Sequence, residues 1–317
     1  MSTLPRDPEA LLRRLDWTVI RRLDGLLHGD YRTLFRGTGL DLADLREYQF
    51  QDDVRHIDWN VTARLNTPYV REYLEDREVA AWFIVDRSGS LGFGSGALSK
   101  RDLTVNFVSV VARLLSRHGN AVGLYGHDAQ HATVLPARTG RRHLLQVVHA
   151  LQSPNAPATA GRTTDLGAIL HAAAGCIKRR SLVFVVSDFI SAPGWPGVLA
   201  RLAQRHEVIA LRVHDPLESS LPDLGLVTLE DIETGEQIQV DTEDHAFRRR
   251  FEAAAQRGEE AVRQGLMRAG VDTLEVGTTD DLADALLRFA DLRRQRSRLA
   301  SAGSLPAHLA PGAAGAQ

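Results

Sequence analysis

Val79-Ala80-Ala81-Trp82-Phe83-Ile84-Val85-Asp86-Arg87-Ser88-Gly89-Ser90 decides the fold. The first seven residues are an unbroken apolar run, and the segment continues into Leu91-Gly92-Phe93-Gly94-Ser95-Gly96. Such a run, closed by Asp, Ser and Gly, reads as a buried strand that ends in a flexible loop. The strand delivers Asp86, Ser88 and Ser90 at alternate positions. One carboxylate and two hydroxyls are small, hard oxygen donors of the kind a magnesium-type cation takes, at roughly 2.0–2.1 Å in near-octahedral geometry with some waters retained. The same residues also fit an ordinary turn whose side chains bond their own backbone.

Outward from residue 79, strand and helix patterns alternate, which predicts a doubly wound, mainly parallel sheet covered on both faces. A helix is expected from Ser99, where Ser99-Lys100-Arg101-Asp102 has the form of a capping box, to a stop at Gly119. Strands follow at 121–126, 131–135, 181–187, 207–213 and 271–276, with a hairpin at 227–230 and 237–240. Helices are expected at 140–151, 165–178, 195–204, from about Phe247 to Gly270, and at 279–290. The 181–187 strand ends in Ser187-Asp188-Phe189. Ligands of a doubly wound sheet sit outside the carboxyl ends of its strands where strand order reverses, and Asp86 and Asp188 both fall at such ends.

Upstream, Leu11, Leu12, Leu15, Val19, Ile20, Leu23, Leu26 and Leu27 recur at helical spacing over residues 8–27. Residues 30–76 hold short aromatic and β-branched pieces between turns and read as a small, mostly β subdomain with Trp59 and Tyr73 in its core. The organisation expected is an N-terminal helix (1–29), the small subdomain (30–78), an α/β domain (79–292), and a basic helix end with an uncharged Ala/Gly/Pro tail (293–317).

Composition narrows the function classes. With 38 basic and 40 acidic residues, the net charge of −2 creates no global field for nucleic acid. The apolar runs are shorter than the roughly 20 residues that cross a bilayer, and Met1 to Pro8 lacks a signal-peptide core, so the expectation is a cytoplasmic protein without a membrane span. The single cysteine, Cys176, reads as a small core residue. The histidines show no zinc-type spacing.

A second stretch is more specific than the metal-type loop. It runs Leu45-Arg46-Glu47-Tyr48-Gln49-Phe50-Gln51-Asp52-Asp53-Val54-Arg55-His56-Ile57-Asp58-Trp59-Asn60-Val61-Thr62-Ala63-Arg64 and is followed by Val70-Arg71-Glu72-Tyr73, with Gly37 and Gly39 upstream. Here the chain resembles the bacterial domain-of-unknown-function family 58, and with it the von Willebrand factor A fold. It departs from the family pattern at Gln51, usually glycine, and at Leu91, usually methionine. The resemblance implies a metal-ion-dependent adhesion site of the Asp-x-Ser-x-Ser type. Such a site also needs a second-loop threonine, met by Thr164 with Thr163 as the alternative and neighbouring helix cap, and a third-loop aspartate, met by Asp188. Ser88 and Ser90 would then bind Mg2+ (or Mn2+ or Ca2+) directly, Thr164 directly or through water, and Asp86 and Asp188 mainly through water or the hydroxyls. One position stays open for an Asp or Glu of a client protein. Family members are associated with MoxR-type AAA+ ATPases, so the resemblance implies assembly or remodelling of a client complex beside such an ATPase.

An enzyme is the competing class. A metal-dependent phosphatase or other hydrolase built on Asp86, Ser88, Ser90 and Asp188 needs a nucleophile with an acid–base partner, and Ser88 stands where a phosphatase carries its second aspartate. Gly92-x-Gly94-x-Gly96 lacks dinucleotide spacing, Lys100 is not in a P-loop, and Asp-Arg-Ser-Gly-Ser is not a nucleophile elbow. The expectation is a non-enzymatic, metal-dependent interaction module.

Overall fold

The computed structural model describes residues 5, 7–23, 44–49, 57, 59–65, 67–72, 80–128, 131–154, 164–230 and 235–303. They fall into two compact units, one drawn from residues 1–29 and 79–289, the other from 30–78 and 290–317. Gly37, Gly39, Gln51, Asp52, Asp53, Asp58, Tyr73 and Thr163 lie outside the described residues.

In the smaller unit, β1 (Asp44–Glu47) pairs antiparallel with β2 (Tyr69–Glu72), Leu45 opposite Arg71. Helix α2 (Trp59–Leu65) lies between them in sequence, and its Thr62 hydroxyl accepts the Tyr69 N–H at 3.1 Å. Trp59 is not a core residue as its size suggests: it is 69% exposed.

The larger unit is built on a six-stranded sheet of order β10-β7-β6-β3-β4-β5. Its strands are β3 (Ala81–Asp86), β4 (Val122–His127), β5 (Ala132–Arg138), β6 (Leu182–Ser187), β7 (Glu207–His214) and β10 (Asp272–Gly277). All neighbours run parallel except β5, which pairs antiparallel with β4 at one edge. The chain lays down β3, β4 and β5 outward in one direction, then returns to the other side of β3 to lay down β6, β7 and β10. Strand order therefore reverses between β3 and β6, and the loops after Asp86 and Ser187 open at that reversal.

The central strands are apolar throughout because both faces are covered: every residue of β3 and of β6 is buried. One face packs Phe83 against Phe184, rings stacked at 4.9 Å between centroids, with Phe107 of α3 (Lys100–Arg117) edge-on to Phe184 at 6.1 Å. Helices α1 (Pro8–Leu15) and α4 (Arg141–Gln152) complete that layer against α3. Beyond Leu15 the N-terminal helix continues as a wider π turn, Asp16–Ile20, and Leu11, Leu12, Leu15, Val19, Ile20 and Leu23 are all buried, as the helical spacing predicts. The opposite face packs Trp82, Ile84, Val183 and Val185 beneath α5 (Leu166–Cys176), α6 (Trp195–Arg205) and α8 (His245–Ala269). Cys176 sits partly buried at the end of α5, packed against this cluster.

The capping box at Ser99 forms with Asp102 as its partner, and Gly119 with φ 79° follows the helix end. Gly270, φ 67°, closes α8 in the left-handed conformation that glycine tolerates. The short α7 (Pro216–Ser219) and the hairpin β8 (Leu226–Glu230) and β9 (Gln237–Asp241) fill the connection before α8. The last helix, α9, runs Leu282–Gly303, longer than the 279–290 its apolar spacing suggests. Among the described residues, no helix is long and apolar enough to cross a membrane.

Gly123 on β4 marks a place where no side chain fits. A Cβ there falls 2.8 Å from the ring of Trp82 on the neighbouring strand. Gly123→Ala is expected to displace that ring and cost about 1–3 kcal/mol of unfolding free energy, as overpacked cores do, read from the midpoint of a urea titration.

Candidate functional site

At the end of β3 the Asp86 carboxylate is 2% exposed, and both its oxygens are held from within the protein. Oδ1 accepts the Ser88 N–H at 2.9 Å, and Oδ2 accepts the hydroxyl of Ser187, the last residue of β6, at 2.9 Å. The chain then makes a single 3-10 turn, Gly89–Gly92, pinned by the buried Leu91. That turn brings the Ser88 and Ser90 hydroxyls to 3.0 Å from each other. An octahedron with ligand distances of roughly 2.0–2.1 Å has an edge of about 2.9 Å, so the two oxygens are spaced as neighbouring ligands of one such cation.

Asp188 stands at the facing strand end and is 1% exposed. Its Oδ1 accepts the Ile190 N–H at 3.1 Å, and its Oδ2 accepts Lys100 Nζ at 2.8 Å. Between them Phe189 is the one non-glycine residue with positive φ, 60°, among the described residues. The Ser187 hydroxyl oxygen accepts the Phe189 N–H at 3.0 Å and helps hold this strained turn, which fixes where Asp188 points. Lys100, the first residue of α3, is completely buried and bonds a second carboxylate, Glu218 Oε1, at 2.5 Å.

Glu218 belongs to a capping box at the head of α7 in which its carboxylate accepts the Asp215 N–H. Asp215 is itself fully buried and accepts from Ser95 N–H at 2.8 Å, Leu217 N–H at 2.9 Å and the Thr278 hydroxyl at 2.6 Å. The Gly-rich loop after β3, the loop after β7 and the loop after β10 are thereby tied into one polar network.

Two carboxylates, Asp188 and Glu218, share the Lys100 ammonium, and Asp86 has the Asp188 carboxylate as its charged neighbour. Burial, and next the repulsion of Asp188, push the Asp86 carboxyl up to about 6. Burial alone would lower the Lys100 pKa, but the attraction of Asp188 and then Glu218 outweighs it and holds the ammonium above its ordinary range. The Asp215 carboxyl, despite its burial, is held low by the Thr278 hydroxyl and the Ser95 N–H.

The Thr164 loop joins the same end of the sheet. The Thr164 carbonyl accepts the Ser191 hydroxyl at 2.8 Å and the Ala192 N–H at 3.2 Å, so it is stitched to the loop that carries Asp188. The cap of α5 is Asp165, whose side chain accepts the Ala168 N–H at 2.9 Å, rather than Thr163. All five residues expected at the site, Asp86, Ser88, Ser90, Thr164 and Asp188, thus lie on three loops at one end of the sheet. Sequence reasoning missed Ser187, Lys100, Asp215 and Glu218. Ser187 had a visible signal in its place beside Asp188; Lys100 had only its place in a capping box.

Among the described residues no three His, Cys, Asp or Glu side chains cluster as a metal-binding set. A cation at this end of the sheet would therefore rest on hydroxyls with two carboxylates around them. Beyond Phe189 and Ile190 an open groove of about 820 Å³ runs between the 189–197 segment and α8, with Glu218 and Arg212 on its polar side.

The uncharacterized protein Rv1480 of Mycobacterium tuberculosis and its counterpart Mb1516 of Mycobacterium bovis are each 38% identical over 292 residues, 91% of either chain. Among solved structures, BatB from Bacteroides thetaiotaomicron aligns with TM-score 0.47 and 16% identity over 70% of this chain and 99% of its own. An aerotolerance-related membrane protein from Bacteroides fragilis gives TM-score 0.47 and 16% identity over 68% and 99%. The family model described as "Protein of unknown function DUF58" matches residues 44–261, and the chain belongs to that family.

Proposed function

We propose that the chain is a non-enzymatic, cation-dependent protein-interaction module of the von Willebrand factor A type, acting in the cytoplasm beside a MoxR-type AAA+ ATPase on a client complex. The ATPase partnership rests on the family resemblance. The observation that carries the rest is the pair of hydroxyls, Ser88 and Ser90, 3.0 Å apart on the loop after the buried Asp86, whose carboxylate feels that of the buried Asp188 at the point where strand order reverses.

In this reading Ser88 and Ser90 hold Mg2+, with Mn2+ or Ca2+ as substitutes, and Thr164 contributes directly or through water. Asp86, already committed to the Ser88 N–H and the Ser187 hydroxyl, and Asp188, committed to Lys100, neutralise the ion from outside its direct ligands. When bound, a cation held mainly by neutral hydroxyls stays electrophilic, and a partner's Asp or Glu completes its shell. The chain's own work is to place the two hydroxyls, orient the carboxylates and leave the half-buried Ser90 side of the loop open to the partner.

The alternative, a hydrolase using Asp86 and the two serines, is disfavoured by the side chains themselves. Ser88 Oγ pairs with Ser90 Oγ, which is no general base, and the Asp86 carboxylate that Ser88 also reaches is held by the Ser88 N–H and the Ser187 hydroxyl.

Calorimetric titration of the chelator-treated protein with MgCl2 is expected to show one site, and binding to the purified ATPase or an acidic client peptide should require the metal. Absence of Mg2+ and Mn2+ binding at millimolar concentration, by the chain alone and together with an acidic client peptide, refutes the reading. Purified protein with Mg2+ or Mn2+ should hydrolyse neither ATP nor p-nitrophenyl phosphate above background; turnover that vanishes in Ser88→Ala would establish the enzyme instead.

A further inference from the structure

Lys100 is the feature that the proposed function does not use. A lysine with no solvent exposure has given up the hydration of its ammonium, and that cost is offset only because two carboxylates meet it, Asp188 at 2.8 Å and Glu218 at 2.5 Å. The Asp188 oxygen it takes is one of the four carboxylate oxygens at the facing strand ends. The ammonium is carried by the first residue of α3, whose capping box fixes the backbone there, so it does not leave by a simple loop motion.

We infer that Lys100 is a tethered cation of the site, positioned to neutralise Asp188 and thereby weaken the hold of the site on a divalent ion. The inference rests on the cation reading of Ser88 and Ser90. Two effects act together. The ammonium occupies a lone pair of Asp188 that could otherwise face the ion, and its own positive charge repels a divalent ion placed among the same side chains. Glu218 works in the opposite sense: it draws part of the ammonium charge toward α7 and leaves Asp188 more of its own. A site so balanced holds its ion loosely until a partner supplies the missing carboxylate. Lys100 is a positioning residue here, acting through Asp188 rather than on the ion.

The test uses the full chain, stripped with chelator, and reads Mn2+ affinity by electron paramagnetic resonance together with the melting temperature of the metal-free protein. Lys100→Met is expected to bind Mn2+ about tenfold or more tightly than wild type, because it returns a buried negative charge to the site. Glu218→Gln is expected to bind several-fold more weakly, with a lower melting temperature in a protein that still folds, because all the ammonium charge then falls on Asp188. A purely structural Lys100 would not move affinity in opposite directions in the two variants. Unchanged or weaker binding by Lys100→Met overturns the inference. Should that variant fail to fold, Glu218→Gln decides: unchanged affinity overturns the inference, and a loss supports it. Binding by Lys100→Met with none by wild type also supports it. No Mn2+ binding by wild type, Lys100→Met or Glu218→Gln overturns the cation reading itself, whereas wild-type binding that neither variant alters overturns only the role of Lys100.

Discussion

Ser88→Ala combined with Ser90→Ala should lower Mg2+ affinity by about two orders of magnitude or more while the metal-free protein melts nearly as wild type. Outer-sphere partners of metal ligands already account for about 10–100-fold in affinity when mutated, so loss of both direct hydroxyl ligands should exceed that range. The structural cost is small because the two hydroxyls bond each other, and Asp86, which the Ser88 hydroxyl also reaches, keeps the Ser88 N–H and the Ser187 hydroxyl. A typical hydrogen bond contributes about 0.5–1.5 kcal/mol net, and the loop is pinned separately by the buried Leu91 and by the Ser88 N–H to Asp86. Calorimetry gives the affinity and thermal denaturation in chelator gives the fold. Partner binding should fall in parallel, and chelation of wild type should reproduce the loss. Wild-type Mg2+ affinity in the double variant would reduce Asp86-Arg87-Ser88-Gly89-Ser90 to a turn.

That loop was legible because its chemistry is local. An apolar strand that ends in Asp-x-Ser-x-Ser can be read from twelve consecutive residues, and the strand at 182–187 announces itself in the same way. The alternation of strands and helices after residue 79 fixes a parallel sheet, and the helix stops at Gly119 and Gly270 follow from their backbone freedom.

Long-range electrostatics were not legible. Lys100 lies 88 residues from Asp188 and 118 from Glu218, and in sequence it is only the residue after a helix cap. Asp215 collects hydrogen bonds from Ser95 and Thr278, on two other loops, and no spacing rule connects them. The positive φ of Phe189 has no compositional sign either, since phenylalanine is not a residue that turns favour. Trp59 misled for a related reason: a large aromatic in a β-rich segment suggests core, but burial depends on what folds over it.

Asp86→Asn should stabilise the metal-free protein at neutral pH, by an amount that disappears in acid. Burial first, and the Asp188 charge second, raise the Asp86 carboxyl from 3.8 to about 6. An acid whose folded pKa is raised binds more protons in the folded than in the unfolded state between those two values, so stability contributed by this group falls as pH rises from about 4 to about 6, and the whole penalty persists above. Some two pH units at about 1.4 kcal/mol each put the penalty on the order of 3 kcal/mol. Asparagine keeps the shape without the charge, so the variant should be about 2–3 kcal/mol more stable than wild type at pH 7.5 in chelator, and no more stable near pH 4. His206 acts in the opposite sense: burial, with Arg205 and Arg180 nearby, lowers its pKa, and stability is lost as pH falls below the ordinary histidine value. The quantity to measure is therefore the difference between variant and wild type in urea denaturation at each pH, in which His206 cancels. Marked destabilisation of Asp86→Asn at pH 7.5 would make Asp86 a structural anchor. The expected result makes it a charge retained at a cost to the fold, one that a bound cation offsets and the amide cannot exploit, so the more stable variant should also be the one that has lost Mg2+ binding.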